Sequence, residues 1–151
     1  MRGDARPLRR DSRGAAGGVT LLNGPADPSP TGRILVIKHG ALGDIVLATG
    51  PFAAIRHHHP DAEIMLLTTR PYGEWLGGSG FFDLVWVDER PAPWDLLGWL
   101  ALRRWLIQGG FDRVYDLQTS SRSSRYFQLL PRRARPQWSG IARGCLPRAP
   151  T

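Results

Sequence analysis

Hydrophobic and polar positions alternate along the chain in blocks, and each block predicts one strand or one helix. Four consecutive apolar residues, Ile34 to Ile37, form a run typical of a parallel strand buried on both faces. Beyond Gly40 and Gly43, apolar residues at helical spacing predict a helical region that reaches about His58. Pro51 lies inside this region, where it either kinks the helix or begins a second short one.

The same alternation of strand and helix continues toward the carboxyl end. Further strands are predicted at 63–68, 83–87, 113–117 and near 137–140, and further helices at 71–78, at 94–107 and from Thr119 onward. Repeated βαβ units with right-handed crossovers form an open parallel sheet with helices on both faces. The predicted class is therefore α/β, with a Rossmann-like sheet.

The ends of the chain differ from this central part. Residues 1–32 are rich in Gly, Pro, Ala, Asp and Arg and show no hydrophobic period. We expect them to be a disordered or mis-assigned extension. The chain of 151 residues is then long enough for one domain, at 33–145, followed by a short tail at 146–151.

Composition restricts the class of protein. Hydrophobic residues make up 42% of the chain and charged residues 22%, as in ordinary globular proteins. A single cysteine, Cys145, excludes an internal disulfide framework and a multi-cysteine metal site, and it favours a cytoplasmic location. Three consecutive histidines at 57–59 point in different directions on a helix, so we expect no metal there.

The positive charge is concentrated near the carboxyl end. The net charge is +7, and residues 117–151 contain seven arginines and no acidic residue. This asymmetry indicates an anionic partner such as nucleic acid, acidic lipid or a phosphorylated sugar. A bias toward arginine from GC-rich coding is the competing explanation.

Two polar segments follow predicted strands, and ligands bind at such strand ends in open α/β sheets. They are His39 to Asp44 and Gln118 to Arg125. The first, "HGALGD", lacks the G-x-G-x-x-G pattern and has no following Gly-Lys-Ser/Thr. We therefore expect no nicotinamide or ATP cofactor site.

Asp44 has two possible roles at the start of the first helix. Its carboxylate would be stabilised by the free N–H groups there and could act as a general base beside an open crevice. Aspartate is also among the best N-cap residues, so capping alone would explain it. The glycines before it allow a tight turn and a close approach of a ligand.

The second segment also has two explanations. Arg122 and Arg125 share one face of a helix, and with the hydroxyls of Thr119, Ser120 and Ser121 they could hold a phosphate or a carboxylate. Alternatively, Thr119 caps the helix and the arginines are solvated.

Together the two segments resemble a known enzyme family. "RILVIKHGALGDIVLATGPFAAIRHHHPDAEIMLLT" is similar to the opening of the family 9 glycosyltransferases, the ADP-heptose:lipopolysaccharide heptosyltransferases. "GGFDRVYDLQTSSRSS" is similar to their later D-x-Q-x-x-x-[KR]-S segment. The resemblance covers about 33–145.

The resemblance implies the N-terminal, acceptor-binding half of a twin-domain GT-B enzyme that inverts the anomeric centre. It would transfer heptose from ADP-heptose to the phosphorylated inner core of lipopolysaccharide, in the cytoplasm or at the inner membrane face. Asp44 matches the aspartate proposed as base. The implied acceptor-binding residues are Gly40, Gly43, Gln118, Arg122 and Ser123. No cofactor is implied, since the ADP-heptose donor would bind the C-terminal domain.

The chain also departs from this family. Members are about twice as long, and residues 146–151 do not continue their pattern, so we expect a truncated product that is inactive without the donor domain. Two other functions stay open: a basic nucleic-acid-binding module, although no aromatic residues interleave with the arginines, and a stand-alone Rossmann-like small-molecule enzyme. We expect no nucleic-acid partner.

Overall fold

A computed structural model describes residues 8–9 and 32–145. Every strand and helix predicted between residues 33 and 140 is present, with boundaries that shift by at most about two residues. The elements are β1 Leu8–Arg9, β2 Arg33–Ile37, α1 Leu42–His58, β3 Glu63–Thr68, α2 Arg70–Gly77, β4 Leu84–Val87, α3 Leu96–Gln108, β5 Arg113–Asp116, α4 Ser121–Leu129, a 3₁₀ turn Arg132–Ala134 and β6 Gln137–Ser139. Apart from β1, the extension expected at residues 1–32 falls almost wholly outside the described residues, as does the tail at 146–151.

The strands form one six-stranded sheet in the order β1-β4-β3-β2-β5-β6. The strands β2 to β6 are all parallel, and Leu35 in the central strand β2 is paired with Met65 on one side and Val114 on the other. The predicted open parallel sheet is therefore confirmed. The short strand β1, which the sequence did not predict, is antiparallel to β4 at the edge.

Alternate side chains of the central strand enter two separate cores. Ile34 and Val36 pack on one face of the sheet with residues of α1 and α2, including Phe52. Leu35 and Ile37 pack on the other face with residues of α3 and α4. Helices thus cover both faces, which explains why the strand is apolar at every one of these positions.

The longest helix, α1, continues through the proline at its middle. Pro51 is exposed and lies inside one continuous helix of 17 residues, so the alternative of a second short helix is wrong. A proline inside a helix removes the hydrogen bond that its missing N–H would have donated, and its ring crowds the carbonyl four residues earlier. In the part of the chain that the structure describes, no helix is both long and apolar enough to cross a membrane.

Candidate functional site

The two polar segments meet at the carboxyl edge of the sheet, where the strand order reverses between β2 and β5. The backbone N–H of His39 donates to Oε1 of Gln118 over 2.9 Å. Nζ of Lys38 donates to the carbonyl of Leu117 over 3.3 Å. The loops after β2 and β5 are therefore joined side by side, as the strand positions predict.

Gly40 occupies a backbone conformation that other residues rarely adopt. Its φ is +102°, and a Cβ atom built there would lie 2.3 Å from Cε2 of Tyr72. The turn from β2 into α1 thus passes directly against the Tyr72 ring, and only glycine fits without displacing that ring. Gly43, by contrast, lies in the first turn of α1 and faces open space.

An open cleft of about 520 Å³ lies beside this turn. Its wall comes from the loops that follow β2, β3 and β4. The lining residues include His39, Gly40, Thr69, Tyr72, Asp88 and Arg90. Of the six site residues that the sequence predicted, only Gly40 lines this cleft. The others lie outside its wall: Gly43, Asp44, Gln118, Arg122 and Ser123.

Asp44 is not the N-cap of α1. The helix begins at Leu42, its N-cap is Ala41, and no side-chain hydrogen bond caps it. Asp44 is the third helical residue, and its side chain is exposed in the first turn. The capping explanation is therefore wrong, and a solvent-facing carboxylate stands near the positive end of a helix, which stabilises negative charge.

The second loop begins with a buried carboxylate that holds the backbone. Oδ1 of Asp116 accepts from the N–H groups of Gln118 and Thr119, at 3.2 and 3.0 Å. Burial raises the pKa of Asp116, although these bonds and the Ser123 hydroxyl oppose the shift. Thr119 has a φ of +46°, which is uncommon for a β-branched residue. The Asp116 carboxylate therefore fixes a strained turn beside Gln118.

Ser120, and not Thr119, caps α4. The Ser120 and Ser123 side chains form a reciprocal capping box with each other's backbone N–H groups. Ser123 is fully buried, so its hydroxyl fixes the start of the helix and does not face solvent. Any effect of Ser123 on a ligand would be indirect, through the position of the loop.

Arg122 and Arg125 point toward α3. Nη2 of Arg122 donates to the carbonyl of Pro91 over 3.2 Å, and its guanidinium lies 5.5 Å from the centre of the Trp99 ring. Arg125 is exposed and lines a groove with Leu96 and Trp99. The two arginines therefore lie on the helical face next to α3 and do not converge on the hydroxyls of the loop.

A buried polar cluster behind the cleft was missed by the sequence analysis. Nε2 of His39 lies 2.9 Å from Oδ2 of Asp88, and both side chains are almost completely buried. The Tyr126 hydroxyl donates to the same Asp88 oxygen. The cluster connects the loops after β2 and β4 with α4. The sequence carries one indication of this cluster, because His39 and Asp88 each follow closely on a buried parallel strand.

Hydrogen bonding determines the charge state of this cluster. Burial alone would raise the pKa of Asp88, but the adjacent His39 ring and hydrogen bonds from the Tyr126 hydroxyl and the N–H of Arg90 outweigh burial and lower it. Burial and the neighbouring Asp88 charge raise the pKa of the Tyr126 hydroxyl. Asp88 is therefore an anion at neutral pH, held by a neutral tyrosine.

Among the residues that the structure describes, no three His, Cys, Asp or Glu side chains come together in a way that could hold a metal ion. The carboxyl edge provides an open cleft, two joined loops and two exposed carboxylates. Glu89 lines the cleft and is paired with Arg70, whereas Asp44 stands outside the cleft wall at the start of α1. Such a set can bind a polar molecule and accept a proton from it.

Comparison with known proteins shows a likeness in structure. No protein-family model and no curated protein matches the chain. A crystal structure titled as the glycosyl transferase family 9 from Veillonella parvula DSM 2008 is similar, with a TM-score of 0.61 and 20% sequence identity. The match covers 74% of this chain and 32% of that one, so the chain spans about a third of the length of its structural neighbour. The likeness establishes that this chain has the Rossmann-like fold of one part of that glycosyl transferase.

Proposed function

We propose that this domain is the acceptor-binding part of a glycosyltransferase, with Asp44 as the catalytic base. The observation that carries the proposal is the exposed Asp44 carboxylate at the sheet's carboxyl edge. It is supported by the fold shared with a family 9 glycosyl transferase and by the two sequence segments that resemble that family.

The proposed reaction is an inverting sugar transfer. Asp44 takes the proton from an acceptor hydroxyl, and the oxygen attacks the anomeric carbon of the donor sugar. The bond from that carbon to the donor phosphate breaks, and the nucleoside diphosphate leaves with the electron pair. Because one displacement occurs, the anomeric configuration inverts. By family resemblance the donor is ADP-heptose and the acceptor is the phosphorylated lipopolysaccharide inner core.

The acceptor would bind across the two joined loops. Gly40 lets the turn pass against the Tyr72 ring, and Gln118 joins the neighbouring loop to this turn by accepting from the N–H of His39. In this proposal Arg122 provides positive charge for an acceptor phosphate. This role rests on the family resemblance, since the guanidinium lies against Pro91 and Trp99 on the side of α3.

The nucleotide sugar would bind a second domain. Residues 32–145 contain one Rossmann-like domain, whereas the matched glycosyl transferase is about three times as long as the aligned part. We therefore propose that transfer needs a donor-binding domain outside the described residues, and that the reaction takes place at the cytoplasmic face of the inner membrane.

Acceptor binding can be tested on the chain alone. Isothermal titration would use heptose-free lipopolysaccharide core from which the acyl chains have been removed. We expect saturable binding that is lost in Arg122→Gln and unchanged in Arg143→Gln, an exposed arginine near the carboxyl end. Absence of binding by the folded wild-type chain would overturn the acceptor assignment.

Catalysis can be tested with the chain fused to the donor-binding domain of a family 9 glycosyltransferase. Asp44→Asn keeps the size of the side chain and removes the proton acceptor, so we expect turnover to fall about a hundredfold or more while acceptor binding persists. Asp61→Asn, which changes another exposed aspartate, is the matched control. Full activity in Asp44→Asn would rule out the proposed base.

A further inference from the structure

The outward face of α3 is apolar. Seven residues of this helix are exposed: Leu96, Leu97, Leu100, Ala101, Arg104, Ile107 and Gln108. At 100° per residue they fall on one side, opposite Trp99, Leu102 and Leu106, which pack into the core. Trp94, just before the helix, is 82% exposed and Leu97 is 80% exposed. The helix thus has a second hydrophobic side, which faces solvent.

Such a face is unusual for a surface helix. A helix that packs on a domain normally turns polar residues outward, and contiguous apolar patches mark contact with a protein or a membrane. Here the only charged residue on the outward face of α3 is Arg104. The patch therefore fits a partner that can contact apolar leucine side chains and a charged arginine on the same surface.

Arginines also border the patch on the side of α4. Arg125 lines the same groove as Leu96, and Nε of Arg103 donates to the carbonyl of Leu129. Arg132 and Arg133, just after α4, are exposed. Residues 117–145 contain no acidic residue. On the other side of α3, the exposed carboxylates of Glu89 and Asp95 line a pocket with Ala101, and Asp95 accepts from the N–H of Gly98 as N-cap. An anionic partner therefore matches the side of the patch that borders α4.

We propose that α3 docks on an anionic lipid bilayer. Trp94 and the exposed leucines enter the boundary between headgroups and acyl chains, and Arg104 and Arg125 contact lipid phosphates. This combination of aromatic and leucine side chains with flanking arginines is what interfacial helices use. The arginine within the apolar face favours a phosphate-rich surface over an apolar protein surface.

The docked orientation bears on the proposed function. The loop from β4 to α3 begins at Asp88, in the cleft wall, so the start of α3 lies at the same edge of the sheet as the cleft. A lipid-anchored acceptor would then meet the site from the membrane side. This last step rests on the proposed function, whereas docking itself does not.

Vesicle flotation with the full 151-residue chain tests the proposal, without any acceptor present. The vesicles are phosphatidylcholine alone or phosphatidylcholine mixed with phosphatidylglycerol. We expect partition into the anionic vesicles to exceed partition into the neutral ones by about tenfold or more. Equal or absent partition of the folded chain would overturn the proposal.

The residues are tested with a matched pair of variants. Leu97→Ser with Leu100→Ser, at positions 80% and 53% exposed, is expected to lower anionic partition about tenfold. Leu47→Ser with Val46→Ser changes α1 on the opposite sheet face, at 79% and 52% exposure, and is expected to have no effect. Equal losses in both pairs would contradict docking through α3.

Two further measurements decide between partners. Arg104→Gln with Arg125→Gln should abolish the preference for anionic vesicles, while circular dichroism shows that the fold is intact.

Sedimentation tests whether the partner is instead a second copy of the chain. The lipid assignment would be overturned if the wild-type chain is a dimer that does not bind vesicles and that Leu97→Ser with Leu100→Ser dissociates. Because the acceptor in the titration is free of acyl chains, failure of either proposal leaves the other standing.

Discussion

The Tyr126 hydroxyl of α4 donates a hydrogen bond to the carboxylate of Asp88 at the end of β4. The two residues are 38 positions apart, and the bond is buried. Asp88 in turn lies against His39, which belongs to the cleft wall. Tyr126 therefore helps to set the position of the cleft from behind, without reaching it.

Removal of this hydroxyl should weaken the fold. Tyr126→Phe leaves the buried Asp88 carboxylate with one donor fewer, and we expect the free energy of unfolding to fall by about 2 kcal/mol. The measurement is urea unfolding at neutral pH. Tyr115→Phe is the control: its hydroxyl bonds to His59 and Arg113 in a half-buried position, so a loss below about 1 kcal/mol is expected. Equal losses of unfolding free energy in the two variants would show that the buried hydrogen bond to Asp88 stabilises the fold no more than the half-buried bonds of Tyr115.

The two glycines of the first loop should respond oppositely to alanine. Gly40→Ala introduces a Cβ against Tyr72 in a left-handed conformation, and about 1 to 3 kcal/mol of stability should be lost. Gly43→Ala places a better helix former in open space, and about 0.5 kcal/mol should be gained. Thermal unfolding of both variants checks the pair, and a destabilised Gly43→Ala would contradict the helical start at Leu42.

Asp88 should stabilise the protein only above acidic pH. Its pKa in the fold is lower than its ordinary value of 3.8, so its contribution is complete above that value and disappears as the pH falls through the lower one. Asp88→Asn should therefore cost about 2 kcal/mol at neutral pH, and the difference from wild type should shrink below pH 3.8. Urea unfolding across acidic pH measures this, and a difference independent of pH would contradict it.

The contribution of Asp116 to stability should depend on pH in the opposite direction to that of Asp88. Burial raises the pKa of Asp116 in the fold, which makes its ionised form less favourable there than in the unfolded chain. The stability that the neutral form provides is complete below the ordinary pKa and disappears as the pH rises through the raised pKa. Asp116→Asn keeps an acceptor for the loop N–H groups and removes the charge. We expect the variant to exceed wild type in stability at neutral pH and to match it at strongly acidic pH. A variant that is less stable than wild type at neutral pH and equal to it at strongly acidic pH would contradict this expectation and show that the charge itself holds the loop.

The sheet could be predicted because its strands carry the signal of burial. Ile34 to Ile37 are apolar at each position since both faces of β2 are covered, and the turn residues between the blocks separate strand from helix. The edge strand β1 could not be predicted, because its two residues lack an apolar run and its pairing partner, β4, is distant in sequence. Local pattern does not specify such a contact.

The candidate site was predicted less completely. The meeting of the His39 and Gln118 loops follows from strand order, and the structure confirms it. The role of Asp44 at the helix start depended on where the helix begins, and its N-cap is Ala41, three residues before Asp44. The cluster of Asp88 and Tyr126 depends on tertiary packing between β4 and α4, and no spacing in the sequence indicates it.

The central position of β2 has a consequence for synthesis on the ribosome. Its partner on one side, β3, follows within about thirty residues, but β5 begins only at Arg113. Until β5 emerges, one edge of a strand that is apolar from Ile34 to Ile37 has no partner within its own chain. Contacts of such long sequence separation form slowly, and unpaired strand edges promote association between chains. The nascent protein is therefore most vulnerable to aggregation before β5 is complete, and that interval is where a chaperone would protect it.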